Sequence, residues 1–150
     1  MYTISNNSVT FRYTTEALLQ RLKEQSAQIS LTQTAPNDEL TATDAYAITD
    51  DEATFVAQLL NQSAQTAAEE FDKIGEYRQD EDTYVYSAPC GEDFVKHAPL
   101  ADAHLTDWLA WHTLTRWLHM RHLDKPATWT LMQATVAFAA LHRDLFLLRS

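Results

Sequence analysis

The stretch DWLAWHTLTRWLHMRHL, Asp107–Leu123, holds three of the chain's four tryptophans and three of its six histidines. At 100° per residue, its apolar side chains point to almost every side of a helix. A helix of this kind lies either at the centre of a core or between a core and a partner. We therefore predict a helix over residues 100–123 around which the rest of the chain is organised.

One sector of this predicted helix carries histidines at three- and four-residue spacing. We call it the histidine face, and it consists of His104, Trp108, His112, Thr115 and His119. A chain of 150 residues has little room to bury one helix on every side, and tryptophan is enriched at the energetic centres of interfaces. The histidine face is therefore the predicted contact surface for partner proteins.

The clearest helix start in the chain is TDDE, Thr49–Glu52. In such a capping box the threonine hydroxyl accepts from the amide three residues later, and the glutamate reaches back to the capping amide. Apolar side chains then recur at helical spacing as far as Ile74, and Gly75 offers a left-handed stop. These signals predict a long amphipathic helix.

Two more helices are predicted near the ends of the chain. Thr14 or Thr15 caps a helix that runs to about Ser30, and Pro126 lies in the first turn of one that runs to about Leu148. Because only a few residues connect this last helix to residues 100–123, the two are expected to pack as antiparallel neighbours.

Strand patterns are confined to short segments. Val9–Tyr13 and Thr83–Ser87 have the alternation or the β-branched and aromatic content of strands, and Tyr2–Ile4 is placed to pair with the first across a turn. EYRQDED, Glu76–Asp82, is interpreted as a solvated charged stretch, and Leu31–Ile48 as a long loop.

Together these patterns predict an all-α, mainly helical fold. The expected architecture is a single helical domain over residues 1–150, a bundle of about four helices with a C-terminal antiparallel helical hairpin. A small β element, formed by Val9–Tyr13 and Thr83–Ser87, completes the prediction.

Composition and charge argue against several classes of function. The formal net charge is -10, and residues 101–150, which hold five of the six histidines, are near neutral. No basic stripe is present, so we expect no sequence-specific nucleic-acid binding. No uninterrupted apolar run approaches the ~20 residues that span a bilayer, so we expect no membrane association.

Cys90 is the single cysteine and excludes an internal disulfide, and the first residues lack the pattern of a signal peptide.

A metal-dependent helical-bundle enzyme is the alternative to a contact surface. His104, His112, His119 and His122 have spacings that allow a partial ligand cluster on one helix. Carboxylate-type metal sites in bundles also need a Glu-x-x-His pairing, and this sequence contains none. No catalytic signature surrounds Cys90 and no glycine-rich phosphate loop is present. We therefore predict no catalytic residue, no metal and no cofactor.

Four segments together carry a family resemblance. The helix TDDEATFVAQLLNQSAQTAAEEF is followed by YVYSAP, by a helix ending in RWLHMRHL and by a last helix ending in DLFLLR. This order resembles small virion structural proteins of tailed bacteriophages and prophages, above all the head-tail connector (adaptor) proteins. Trp117 and Arg121 match the aromatic residue and the arginine that close a helix in that family. The likeness covers Thr49–Arg149, although the spacing after Pro89 is longer than the family pattern.

The resemblance implies a non-enzymatic subunit that assembles as a ring-type homo-oligomer between portal and tail. Its partners would be further copies of itself and other virion proteins such as portal or tail subunits. It would be found in the virion, and in the host cytoplasm during assembly. Tail completion is a neighbouring role, and an unrelated intracellular protein-interaction domain is the second alternative.

Overall fold

The computed structural model describes residues 1–32 and 47–148. The N-terminal elements are β1 (Tyr2–Ser5), β2 (Ser8–Thr14) and α1 (Thr15–Thr32). After a 3-10 turn at Asp50–Glu52 come α2 (Ala53–Phe71), β3 (Glu76–Asp80), β4 (Thr83–Pro89), α3 (Glu92–Val95), α4 (Ala98–Met120) and α5 (Asp124–Leu148). Most of the loop predicted over Leu31–Ile48, and Arg149 at the end of the family resemblance, lie outside the described residues.

The four strands form one antiparallel sheet in the order β1-β2-β4-β3. Asn6 and Asn7 connect β1 to β2 with φ values of 52° and 61°, the left-handed pair that a two-residue hairpin turn requires. Glu81, with φ 54°, lies in the turn between β3 and β4. Val9–Tyr13 pairs with residues 84–88, so the two segments predicted as strands lie side by side at the centre of the sheet.

The prediction of an all-α, mainly helical bundle is wrong, because the chain folds as mixed α and β with a four-stranded sheet. The largest omission is β3, whose sequence EYRQD was interpreted as a solvated stretch. β3 is an edge strand, and among its five side chains only Tyr77 is partly covered. An edge strand with one covered side chain lacks the apolar alternation by which strands are found in sequences.

One face of the sheet forms the larger core with α2, α4 and part of α5. Phe11 and Tyr86 from the central strands pack their rings against Phe71 of α2, with centroids 6.1 and 5.0 Å apart. The Tyr86 hydroxyl donates to the carbonyl of Ala64, which satisfies the one polar atom of that ring inside the core. Trp108 and Leu109 of α4 belong to the same cluster. The sheet is therefore a structural layer rather than a minor addition to a bundle.

Gly75 joins α2 to β3 for a different reason from the one predicted. Its φ is not positive, so it is not a left-handed helix stop. A Cβ at this position would lie 2.0 Å from the carbonyl oxygen of Ser87. Only glycine lets the connection pass this close to β4, and the close approach holds the end of α2 against the sheet.

Glu52 connects the start of α2 to the end of α4. Its Oε1 accepts from the backbone N–H of Thr49 at 3.5 Å, which is the reach-back contact predicted for the capping box. Its Oε2 accepts from Trp117 Nε1 at 3.0 Å and from Arg121 at 3.1 Å. The guanidinium of Arg121 also lies 4.9 Å from the centroid of the Trp117 ring. The two residues that carry the family resemblance thus close α4 against α2.

Candidate functional site

The histidine face lies largely inside the chain. Trp108 is 3% exposed and Thr115 is 4% exposed, while His104 and His112 are partly covered and His119 is exposed. α5 covers part of the face, since Thr115 donates to Thr130 at 2.8 Å and Trp108 packs on Phe138 with centroids 5.7 Å apart. Within this chain Trp108 and Thr115 are core residues. A role for the face in binding partners stays a prediction.

His112 faces α2 rather than solvent. Its Nδ1 is 2.7 Å from the hydroxyl of Ser63, and its ring is stacked on Trp108 at 4.6 Å. Burial, with Arg116 nearby, lowers the pKa of His112 and so favours the neutral ring. Ser63 is fully buried and also contacts Thr113 at 2.8 Å. A substrate cannot reach this serine, so the pair is structural.

Asp144 of α5 is the one buried charged side chain among residues 1–32 and 47–148. Its carboxylate accepts from Nε2 of His97 and, at 2.7 Å, from Nδ1 of His104. His97 lies at the start of α4 and His104 two turns further along it. Both oxygens of the buried carboxylate are therefore used to hold the end of α5 against the beginning of α4.

This histidine–carboxylate cluster lines a surface cavity of about 600 Å³, together with Leu100, His142 and Arg143. A carboxylate that orients an imidazole is an element of general-base sites. A nucleophile beside the imidazole would have to complete such a site. In the described part of the chain, no group of three or more His, Cys, Asp or Glu side chains is placed to hold a metal ion. The contacts of the cluster hold the end of α5 against the start of α4.

The remaining candidate ligands are placed apart from this cluster. His119 Nδ1 lies 3.6 Å from Asp124 in an exposed pair at the other end of the two helices. His122, with φ 59°, is the left-handed residue that ends α4, and the amide of Leu123 donates back to the carbonyl of Leu118 at 2.9 Å. His104, His112, His119 and His122 thus have four different local environments.

Half of the large apolar side chains that are exposed in the described residues belong to α5. Six of its large apolar side chains are between 46% and 68% exposed: Trp129, Leu131, Met132, Val136, Phe146 and Leu147. Between Pro126 and Arg143 the helix contains no acidic residue. Exposed apolar patches on this scale are typical of binding surfaces.

The outer residues of α5 follow a heptad spacing of their own. We call this row the outer seam, and it consists of Trp129, Met132, Val136, Ala139 and Arg143, three and four residues apart in turn. The buried side of α5 repeats the same spacing with Ala127, Thr130, Ala134, Ala137 and Leu141. The second row was visible in the sequence, but spacing does not tell which of two such rows faces the core.

α5 is also, by length and composition only, apolar enough to cross a membrane, and it is the one such helix in the described residues. Core helices of water-soluble proteins meet the same criterion. Against a spanning role, α5 buries the Asp144 carboxylate between two histidines of α4. The expected lack of membrane association stays a prediction.

No family model, curated protein or solved structure matches this chain.

Proposed function

We propose that this chain is a non-enzymatic structural subunit that associates with a second copy of itself through the outer seam of α5. The observation that carries this proposal is the exposed heptad row, because a repeat of this kind fits the side chains of another helix. Catalysis has less support, since the polar clusters of α4 are used for packing against α2 and α5.

A second copy fits because the seam is complementary to itself. When two α5 helices pack antiparallel around a twofold axis at Val136, Trp129 faces Arg143 and Met132 faces Ala139 of the other copy. A guanidinium beside an indole is a favourable contact. A large side chain opposite a small one fills the space between two helices without a clash.

Charge and area also favour a second copy. The net charge of -10 opposes association in general, yet the exposed residues from Thr128 to Arg143 include no acid. The exposed apolar side chains of α5 offer on the order of 500 Å² per chain. Stable interfaces bury about 800 Å² per partner, so the expected dimer is weak and forms at micromolar concentration.

A narrower proposal is a bacteriophage virion role as a head-tail connector or tail-completion subunit. It rests on the sequence resemblance of Thr49–Arg149 alone. A twofold α5 contact closes into a dimer, so the ring implied by the resemblance would need a second, different contact surface. Of the histidine face predicted for that contact, only His119 is exposed, because Trp108 and Thr115 are buried.

Sedimentation velocity over a concentration series tests the proposed function. The wild-type chain is expected to pass from monomer to dimer, and Val136→Asp is expected to remain monomeric because two carboxylates would meet at the axis. Val95→Asp is the matched control, since Val95 of α3 is also exposed, at 46%, but does not belong to the outer seam. It should dimerise like the wild type.

Two results would contradict the proposal. One is a monomer at every concentration. The other is a dimer that Val136→Asp does not weaken. Flotation with neutral lipid vesicles is run in parallel. Binding to vesicles that Val136→Asp abolishes, without self-association, would assign the outer seam to a membrane surface instead.

A further inference from the structure

A second cavity, of about 570 Å³, lies between α1 and the first turns of α5. Its walls include the indoles of Trp111 and Trp129, which are perpendicular with centroids 5.3 Å apart. Ile29 and Pro126 add apolar surface. The volume and the aromatic lining are those of a small-molecule site rather than of a packing defect.

Gln25 of α1 gives this cavity an unsatisfied hydrogen-bond acceptor. The residue is 9% exposed, and its Oε1 is buried with no hydrogen-bond partner in the described part of the chain. Buried polar atoms are nearly always paired, because leaving one without a partner is unfavourable. Since Gln25 lines the cavity, a rotation of its amide would bring this oxygen to a ligand with an N–H or O–H donor.

The charge around the cavity selects for an anion. Among the described residues that line it, Lys125 is the one charged side chain, and none is an aspartate or glutamate. In residues 1–32 and 47–148 the ammonium of Lys125 forms no ion pair. Asp124, which precedes Lys125 in the chain, is not among the lining residues, and its side chain is 81% exposed, where solvent and salt screen its charge.

We infer that this cavity binds a planar aromatic anion whose ring carries a hydrogen-bond donor. The ring lies against Trp111 and Trp129, the donor reaches Oε1 of Gln25, and the anionic group pairs with Lys125. The site is separate from the contact at the outer seam, apart from Trp129, which borders both. The inference does not depend on the proposed self-association.

Indole-3-acetate is the probe, because it has the planar ring, the ring N–H and the carboxylate. Its binding is followed by the indole N–H resonances of the four tryptophans in ¹H–¹⁵N spectra. We expect the signals of Trp111 and Trp129 to shift with saturation. Those of Trp108 and Trp117, which are 3% and 0% exposed, should stay fixed and serve as internal controls.

Two analogues separate the two polar contacts. Methylation of the ring nitrogen removes the donor, and affinity is expected to fall at least tenfold. 3-Methylindole lacks the carboxylate, so its binding should be weak and should not change in Lys125→Ala. For indole-3-acetate, Lys125→Ala should lower affinity several-fold.

Gln25→Met distinguishes ligand recognition from a structural role. It keeps the shape of the side chain and removes the unpaired oxygen, so the melting temperature should hold or rise while affinity for indole-3-acetate falls at least fivefold. The same variant should leave the N-methyl analogue unaffected. Repeating the titration with Val136→Asp separates binding from self-association.

Three outcomes would overturn the inference. The first is the absence of shifts at Trp111 and Trp129 up to about 1 mM probe, the range of a weak complex. The second is equal affinity for indole-3-acetate and its N-methyl analogue. The third is a Gln25→Met variant that is destabilised and binds the probe as the wild type does, which would make Gln25 a packing residue.

Discussion

The two longest helices, α4 with 23 residues and α5 with 25, differ in how their apolar surface is used. α4 contacts the sheet, α1, α2 and α5, and its large side chains Leu114, Trp117 and Leu118 are fully buried. α5 packs mainly on α4 and leaves Met132 and Val136 61% and 68% exposed. The apolar surface of a helix must be buried, but the sequence of the helix does not show which other element or partner buries it.

The first prediction tests whether the two helices differ in energy as they differ in burial. Trp108→Ala removes a buried indole from α4 and should lower the free energy of unfolding by about 4 kcal/mol. Trp129→Ala, which truncates a 49% exposed indole on α5, should lower it by about 1 kcal/mol or less. Urea denaturation measures both. Equal losses would show that the two tryptophans have the same role and would remove the contrast between the helices.

The second prediction compares two histidine–aspartate pairs that join α4 to α5. Asp144→Ala removes a buried carboxylate from two partly covered imidazoles and should lower the free energy of unfolding by about 3 kcal/mol. Asp124→Ala breaks only the exposed pair with His119, whose side chains are 50% and 81% exposed, and should change it by less than about 1 kcal/mol. The same denaturation experiment gives both values. A small effect of Asp144→Ala would mean that packing alone holds the two helices together.

The third prediction tests the antiparallel packing of two α5 helices through the outer seam. Met132→Ala leaves a gap opposite Ala139 of the second copy, and Ala139→Met places two large side chains opposite each other. Each variant should weaken the dimer by about 1–2 kcal/mol. The double variant exchanges the two sizes across the twofold axis and should recover most of the affinity. Additive losses in sedimentation velocity would exclude the antiparallel arrangement.

The fourth prediction concerns pH and has the smallest expected effect. The pKa of His112 is lowered by burial and by Arg116, so the unfolded chain binds its proton more readily than the folded one. Stability from this group is complete above the ordinary pKa of 6.5 and is lost as the pH falls through the folded pKa. His112→Gln keeps a polar partner for Ser63 and cannot titrate. Melting temperatures from pH 7.5 down to pH 5 should fall less in this variant, and parallel curves would remove His112 as the cause.

Parts of the fold could be predicted because their signals are local. The capping residues Thr49 and Glu52 and the strand pattern of Val9–Tyr13 lie within a few residues of the structure they specify. β3 could not be found in this way, because its place depends on hydrogen bonds to β4 and on Tyr77 packing against Tyr86 with centroids 4.9 Å apart. These partners come from a neighbouring strand and leave no periodic pattern in EYRQD.

The contacts at the candidate surfaces could not be predicted from local sequence either. His104, His112 and His119 recur at helical spacing in the sequence, but their partners, Asp144, Ser63 and Asp124, come from two other helices. Only His119 and Asp124 are close in sequence. The cavity beside Gln25 likewise joins α1 to the start of α5, a distance of about a hundred residues along the chain.

The sequence by itself determined where the long helices lie. It also determined that these helices have more apolar residues than one buried face needs, and that α5 carries two heptad rows. Only the tertiary structure decided that the sheet has four strands, that the core includes Trp108, and that the row through Met132 and Val136 faces outward. The physical reason is that helix formation and capping are set by neighbours along the chain, whereas burial is set by competition among all apolar faces for one core.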